Sequence, residues 1–231
     1  MLRNCWNWDC GVETNFWEII KTDYSPETDY SKKVRKYIEK ANAKFEIGLI
    51  SKLRMISDGY DVYVSAHAGY KIKDFVMTRE AFVSMIEKYS AKYDFWGCID
   101  RETGIMQAYS IVCNCDSYIL FESSKANPEF LPKYYPMYGM YDARNRHYLS
   151  CKEIMYVDSG ARTITEHSNV QDFLIEKLGF RKAYNNMLIH YTPIIGLAVK
   201  ILYPFRNFRM MPKAVSNLLK FEEMSRDCAH I

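Results

Sequence analysis

The sequence predicts an α+β domain built on a mixed, mainly antiparallel twisted sheet flanked by helices, with extra helices at the C-terminal end. Three observations predict it. Segments with helical spacing alternate with short β-rich ones. A three-strand meander is legible between Tyr93 and Glu122. Tyr156 to Tyr191 reads as strand, polar elbow, capped helix, Gly-Phe stop and strand. The 231 residues are read as one domain, 1–231, with 1–29 as a docking segment and 192–231 as a helical extension.

Taken in order, Phe16, Trp17, Ile19 and Ile20 form an apolar patch that needs cover. Tyr30 to Phe45 is an amphipathic helix: Val34, Ile38, Ala41 and Phe45 share a stripe, while Lys32, Lys33, Arg35, Lys36, Lys40 and Lys44 point elsewhere. That basic face is either simply solvated or attracts phosphate groups. Phe45 to Ile50 and Asp61 to Ala66 read as strands around the turn signal Ser57-Asp58-Gly59. Thr78-Arg79-Glu80 opens a helix that buries Phe82, Met85, Ile86 and Tyr89. Phe95 to Ile99 and Ile105 to Val112 flank the turn Asp100 to Gly104, and Asp116 to Glu122 completes the meander.

Ser123 to Pro136 reads as a polar loop, Met137 to Leu149 as a helix and Ile154 to Val157 as a strand. On the Met137 helix, Asp142 and Arg146 are four apart and read as a surface pair. Ser168 or Asn169 caps the next helix, whose buried residues are Phe173, Leu174 and Leu178, and Gly179 takes the left-handed position that stops it. Arg181 to Tyr191 is a strand. Pro193 to Phe205 and Lys213 to Glu223 are terminal helices.

Composition narrows the function. A net charge of +3 argues against nucleic acid, tRNA included, as a partner, because such binding is strongly electrostatic. The 7 cysteines show no paired CxxC spacing, so the expectation is reduced thiols, no metal site and a cytoplasmic setting; Cys113 and Cys115 share one strand face. The start MLRNCWNWDCG lacks the apolar core of a secretion signal, and no stretch reaches the ~18–20 apolar residues that span a bilayer. Pro193 to Phe205 is expected to pack on the domain, with a peripheral membrane contact as the alternative and a homodimer left open.

The element order resembles the GNAT acyltransferase fold. Leu174, Glu176, Lys177, Leu178, Gly179 and Phe180 resemble the last conserved block of that superfamily, and Ser31 to Ala41 is similar to the basic helix that opens Fem-type domains. The resemblance implies an N-acyltransferase that moves an acyl group from acyl-CoA, as co-substrate, to a small amine or amino-sugar. An aminoacyl-tRNA-dependent Fem-like transferase and a non-catalytic binding domain of the same fold are the alternatives. Two departures stand out: the position of the usual tyrosine acid holds Ile175, and KYYPMYG supplies a single glycine where a glycine-rich pyrophosphate loop is expected.

For the chemistry, Ser159, Glu166 and His167 on the elbow are the catalytic candidates, Glu166 or His167 as base. Tyr138, Gly139, Arg162, Ser168 and Asn169 are the candidates for holding the cofactor, Arg162 by a bidentate clamp on a carboxylate or phosphate. The plainer alternative makes Asp158-Ser159-Gly160 a turn and Glu166-His167 the opening of a helix.

Overall fold

A computed structural model describes residues 2–69, 75–163, 170–208 and 210–228. The chain begins with strands β1 (Leu2–Trp6) and β2 (Phe16–Lys21), then the short helix α1 (Pro26–Asp29), α2 (Lys32–Lys44), β3 (Phe45–Ile50), α3 (Lys52–Ala68) and α4 (Arg79–Lys88). The meander β4 (Tyr93–Asp100), β5 (Met106–Asn114) and β6 (Tyr118–Ala126) follows, then α5 (Leu131–Tyr134), α6 (Pro136–Leu149) and β7 (Tyr156–Ala161). The last elements are α7 (Val170–Leu178), β8 (Arg181–His190), α8 (Pro193–Leu202) with a 3-10 turn (Tyr203–Phe205), and α9 (Lys213–Cys228).

These elements form two compact units whose sequences interleave: Ile20–Gly160 with Asp172–Phe180, and Met1–Ile19 with Ala161–Gln171 and Arg181–Ile231.

In the larger unit, β3, β4, β5 and β6 pair antiparallel in that order, and β7 joins β6 in parallel. The strand period of two sends alternate residues of β5 to opposite faces. Tyr109 and Ile111 pack with Met55, Val62, Phe82 and Ile86 of α3 and α4. Ser110 faces α6 on the other side. The sheet therefore lies between two helical layers, α3 with α4 and α2 with α6. Ser31, Ser51 and Thr78 cap α2, α3 and α4, each side chain accepting a backbone N–H three residues on at 3.1–3.3 Å.

In the smaller unit, β1 pairs antiparallel with β8 from Leu2↔His190 to Trp6↔Asn186. Phe16, Met187, Ile189 and Met224 form its core cluster.

One expected strand is a helix. Asp61 to Ala66 falls inside the 17 residues of α3, and Ser57-Asp58-Gly59 makes no turn. Met55, Gly59, Val62, Tyr63 and Ala66 recur at helical spacing and are buried, so packing overrides the local β content. Gly59 lies close under its neighbours: a Cβ would be 2.9 Å from the Met55 sulfur and 3.1 Å from the Phe82 ring, so a side chain there requires Met55 to shift. The loop expected from Ser123 to Pro136 instead carries the end of β6 and the short α5. The Gly179 stop is as expected, with φ +71 and the Phe180 N–H returning 3.2 Å to the Leu174 carbonyl.

The α2–α6 crossing depends on Gly139, where a Cβ would meet Ile47 Cδ1 at 2.5 Å and Ala41 Cβ at 2.8 Å. Gly139→Ala should therefore destabilise the protein by about 1–3 kcal/mol in denaturant titration, despite the better helix propensity of alanine. A stability unchanged or raised would show that the two helices do not touch there.

Candidate functional site

The parallel β6–β7 ladder is short. Tyr118 pairs Tyr156, Ile119 pairs Val157 and Leu120 pairs Asp158, and the register stops there while β6 runs on to Ala126. Local chemistry on both strands explains the break. On β6, Val112 pairs Phe121 and Ile111 pairs Ser123, so Glu122 is the extra residue of a β-bulge. On β7, the Asp158 carboxylate accepts the Gly160 N–H at 2.7 Å, and Gly160 has φ +95, a value that suits glycine alone. Beyond Leu120 and Asp158 no β6–β7 pair is formed, and this break, between Phe121–Ala126 and Ser159–Gly160, is the opening in the ladder. Glu122 is exposed at this level and accepts the Tyr89 hydroxyl at 3.2 Å.

Below the part of β6 beyond this break lies Arg144 of α6, fully buried. Its Nη1 donates to the Ser110 hydroxyl and, at 3.2 Å, to that of Ser124. The guanidinium lies 4.0 Å from the Phe121 ring centre and 4.4 Å from that of Tyr141. Nε and Nη2 have no partner among the described residues. Burial pushes the Arg144 pKa down, yet a guanidinium keeps its charge at any physiological pH. A buried cation with two unused N–H directions is costly unless an anion completes it.

Three more features of the larger unit bear on its chemistry, two of them on α6. At its N-terminus Tyr135 is left-handed at φ +56, a strained state for a non-glycine residue. Its ring stacks on Tyr37 at 3.8 Å, Tyr138 meets Tyr37 edge-on at 5.1 Å, and Lys33 and Lys40 lie 5.7 and 5.6 Å from the Tyr37 and Tyr135 rings. The result is a basic and aromatic surface. Further along, Asp142 is buried and accepts the Tyr24 hydroxyl at 2.8 Å, not an Arg146 surface pair as the spacing suggests. Burial raises its pKa, with Tyr24 and Arg146 opposing. Last, Cys113 and Cys115 place their sulfurs 3.8 Å apart, and burial pushes the Cys113 thiol up, away from the nucleophilic thiolate.

The residues singled out in the sequence divide into three groups. Ser159 is half-buried one residue past the last β6–β7 pair, at the opening. Tyr138 and Gly139 are on α6, the first in the aromatic cluster and the second filling the α2 crossing. Arg162 belongs to the smaller unit, where its Nη1 donates to the Asn15 carbonyl at 2.7 Å and its N–H to Trp17. Glu166, His167, Ser168 and Asn169 lie outside the described residues. The sequence singles out Arg144 on the Met137 helix, together with Tyr138, Tyr141, Asp142, Arg146 and His147, but gives it no role; it shares a helical stripe with Met140, Tyr141 and Tyr148, where a charge is unexpected.

No protein-family model matches the sequence, and no curated protein matches it. Solved structures do share its fold. FemX superposes with a TM-score of 0.58 at 8% identity, over 80% of this chain and 64% of FemX. The C-terminal domain (DUF2156) of a putative lysylphosphatidylglycerol synthetase from Agrobacterium fabrum gives 0.53 at 6% identity, over 87% of this chain and 66% of that one. The chain thus spans just under two thirds of the length of either, and the likeness establishes a GNAT/Fem-like fold.

A raised carboxyl pKa has a definite sign in stability. The protonated Asp142 is favoured in the fold, so its contribution is complete below the ordinary carboxylate value of 3.8 and is lost as pH rises through its own higher pKa. Asp142→Asn removes this loss. Its melting temperature minus that of the parent should become more positive from about pH 4 to about pH 7, read by calorimetry. A difference flat with pH would mean that Asp142 titrates normally.

Proposed function

We propose that this protein is an acyl-group transferase of the GNAT/Fem type, moving a carrier-borne acyl group to an amine. The observation that carries this reading is the interrupted β6–β7 ladder with Arg144 buried beneath it. A continuous ladder would satisfy every backbone group and leave no room for an acyl chain, as a purely structural sheet does.

Acyl transfer to an amine needs a base for the nucleophile and donors for the charge that develops on the carbonyl oxygen. Glu122 stands at the opening with an acceptor carboxylate, and Ser159 faces the same gap from β7. Arg144 offers Nε–H and Nη2–H to a negatively charged oxygen of the bound substrate. Glu166 and His167 are further candidates for the base on the elbow beyond β7, and Ser168 and Asn169 for holding the donor.

The donor's phosphates are assigned to the surface formed by Tyr37, Tyr135, Lys33 and Lys40. An acyl-CoA donor calls for a cradle of backbone N–H groups at the start of α6, where Pro136 has none and Tyr135 supplies no side-chain cap. The basic, aromatic face of α2 suits a nucleic-acid carrier better, because stacking and phosphate contacts are both available. An aminoacyl-tRNA donor is thus the favoured reading and acyl-CoA the second.

Thermal-shift titration separates them. A charged tRNA pool should raise the melting temperature at low salt and lose the effect in Lys33→Glu/Lys40→Glu, whereas a shift with acetyl-CoA alone would reassign the donor. No shift with either would remove the transferase reading.

Arg144→Met provides the second check. A structural arginine would leave the variant unfolded or strongly destabilised. A substrate-reading one should leave stability equal or higher, while transfer falls by roughly 10²-fold or more.

A further inference from the structure

The outward face of α8 is apolar. Successive residues turn about 100° on an α-helix, which aligns Ile194, Leu197 and Ile201 in one stripe, with Phe205 in the 3-10 turn that follows. Ile194 is 84% exposed, Leu197 61%, Ile201 59% and Phe205 61%. Val199, on the opposite side, is the buried residue of this helix. Phe208 and Met210, beyond the turn, are also exposed. This reverses the ordinary arrangement, in which the polar side of a surface helix faces water.

Cations outnumber acidic groups around the stripe, although Arg206 is paired with Glu223 of α9 at 3.0 Å. From Tyr191 to Phe221 the sequence holds Lys200, Arg206, Arg209, Lys213 and Lys220 and no Asp or Glu. Lys200 flanks the stripe directly. At 10 residues α8 is far too short to cross a bilayer, and no helix among the described residues is long and apolar enough to do so. An in-plane helix with an apolar face and cationic flanks is the form that inserts at the headgroup boundary of a negatively charged membrane.

We propose that α8 and the turn after it dock the protein on an anionic lipid surface, with the Ile194–Leu197–Ile201 stripe and Phe205 among the acyl chains and Lys200 at the headgroups. A second copy of the chain is the weaker occupant, since a two-fold contact would bring the same cations together. The inference rests on α8 and its surrounding charge and does not depend on the transferase reading.

The experiment is vesicle flotation of the full chain with phosphatidylcholine alone and with added phosphatidylglycerol, alongside sedimentation velocity. Binding is expected to the anionic vesicles and to weaken in high salt. Leu197→Glu/Ile201→Glu should lower it at least about tenfold at an unchanged melting temperature, and Lys200→Ala about fivefold. The inference is overturned by absence of flotation with anionic vesicles or by full binding of the double variant. A dimer that the double variant dissolves, without vesicle binding, would also overturn it and give the stripe to a second copy.

Discussion

The burial of α6 is the constraint on which the larger unit depends. From Gly139 to Asn145 every residue of this helix is buried, between α2 on one side and the sheet on the other. A helix enclosed on all sides satisfies its own backbone, but its side chains must fit whatever surrounds them. Gly139 meets that demand by having no side chain where Ala41 and Ile47 approach. Asp142 meets it through the Tyr24 hydroxyl. Arg144 meets it only in part, since two serine hydroxyls engage one nitrogen and two others are left over. An apolar side chain would avoid that cost, and the arginine is therefore better explained by recognition than by stability.

The same helix links the two halves of the proposed chemistry. Its middle places Arg144 beneath the interrupted ladder, and its beginning brings Tyr135 and Tyr138 against Tyr37 of α2. The cations of α2 that look merely solvated in the sequence partly lie over tyrosine rings, which orders a surface that unattached lysines would leave mobile. An overall charge of +3 hides this local concentration. What a partner senses within a Debye length is the local field, not the total.

Sequence reading went furthest where the signals are local. The helix start at Thr78, the basic helix α2, the meander and the Gly179 stop are each set by neighbours a few residues away. It failed for Asp61 to Ala66, since a β-branched and aromatic run suits a strand and a buried helix equally, and only the contact of Gly59 with Met55 and Phe82 separates them. Of the residues it named, Ser159 lies beside the end of the β6–β7 ladder and Tyr138 in the aromatic cluster, but it took Asp142 for a surface group, because Tyr24 lies 118 residues away in the chain.

The sequence by itself determined the class of fold and the order of most elements, α3, α5 and the strands β1 and β2 excepted, because periodicity, capping and turn chemistry act over one or two helical turns. It also held the excess of cations and the apolar content of the α8 region. Tertiary structure alone decided that the β6–β7 ladder opens after Leu120, that Arg144 is buried with no carboxylate on it among the described residues, and that the apolar stripe of α8 faces outward. Each depends on where distant segments meet, and side-chain burial and ladder register are properties of that meeting, not of any short stretch.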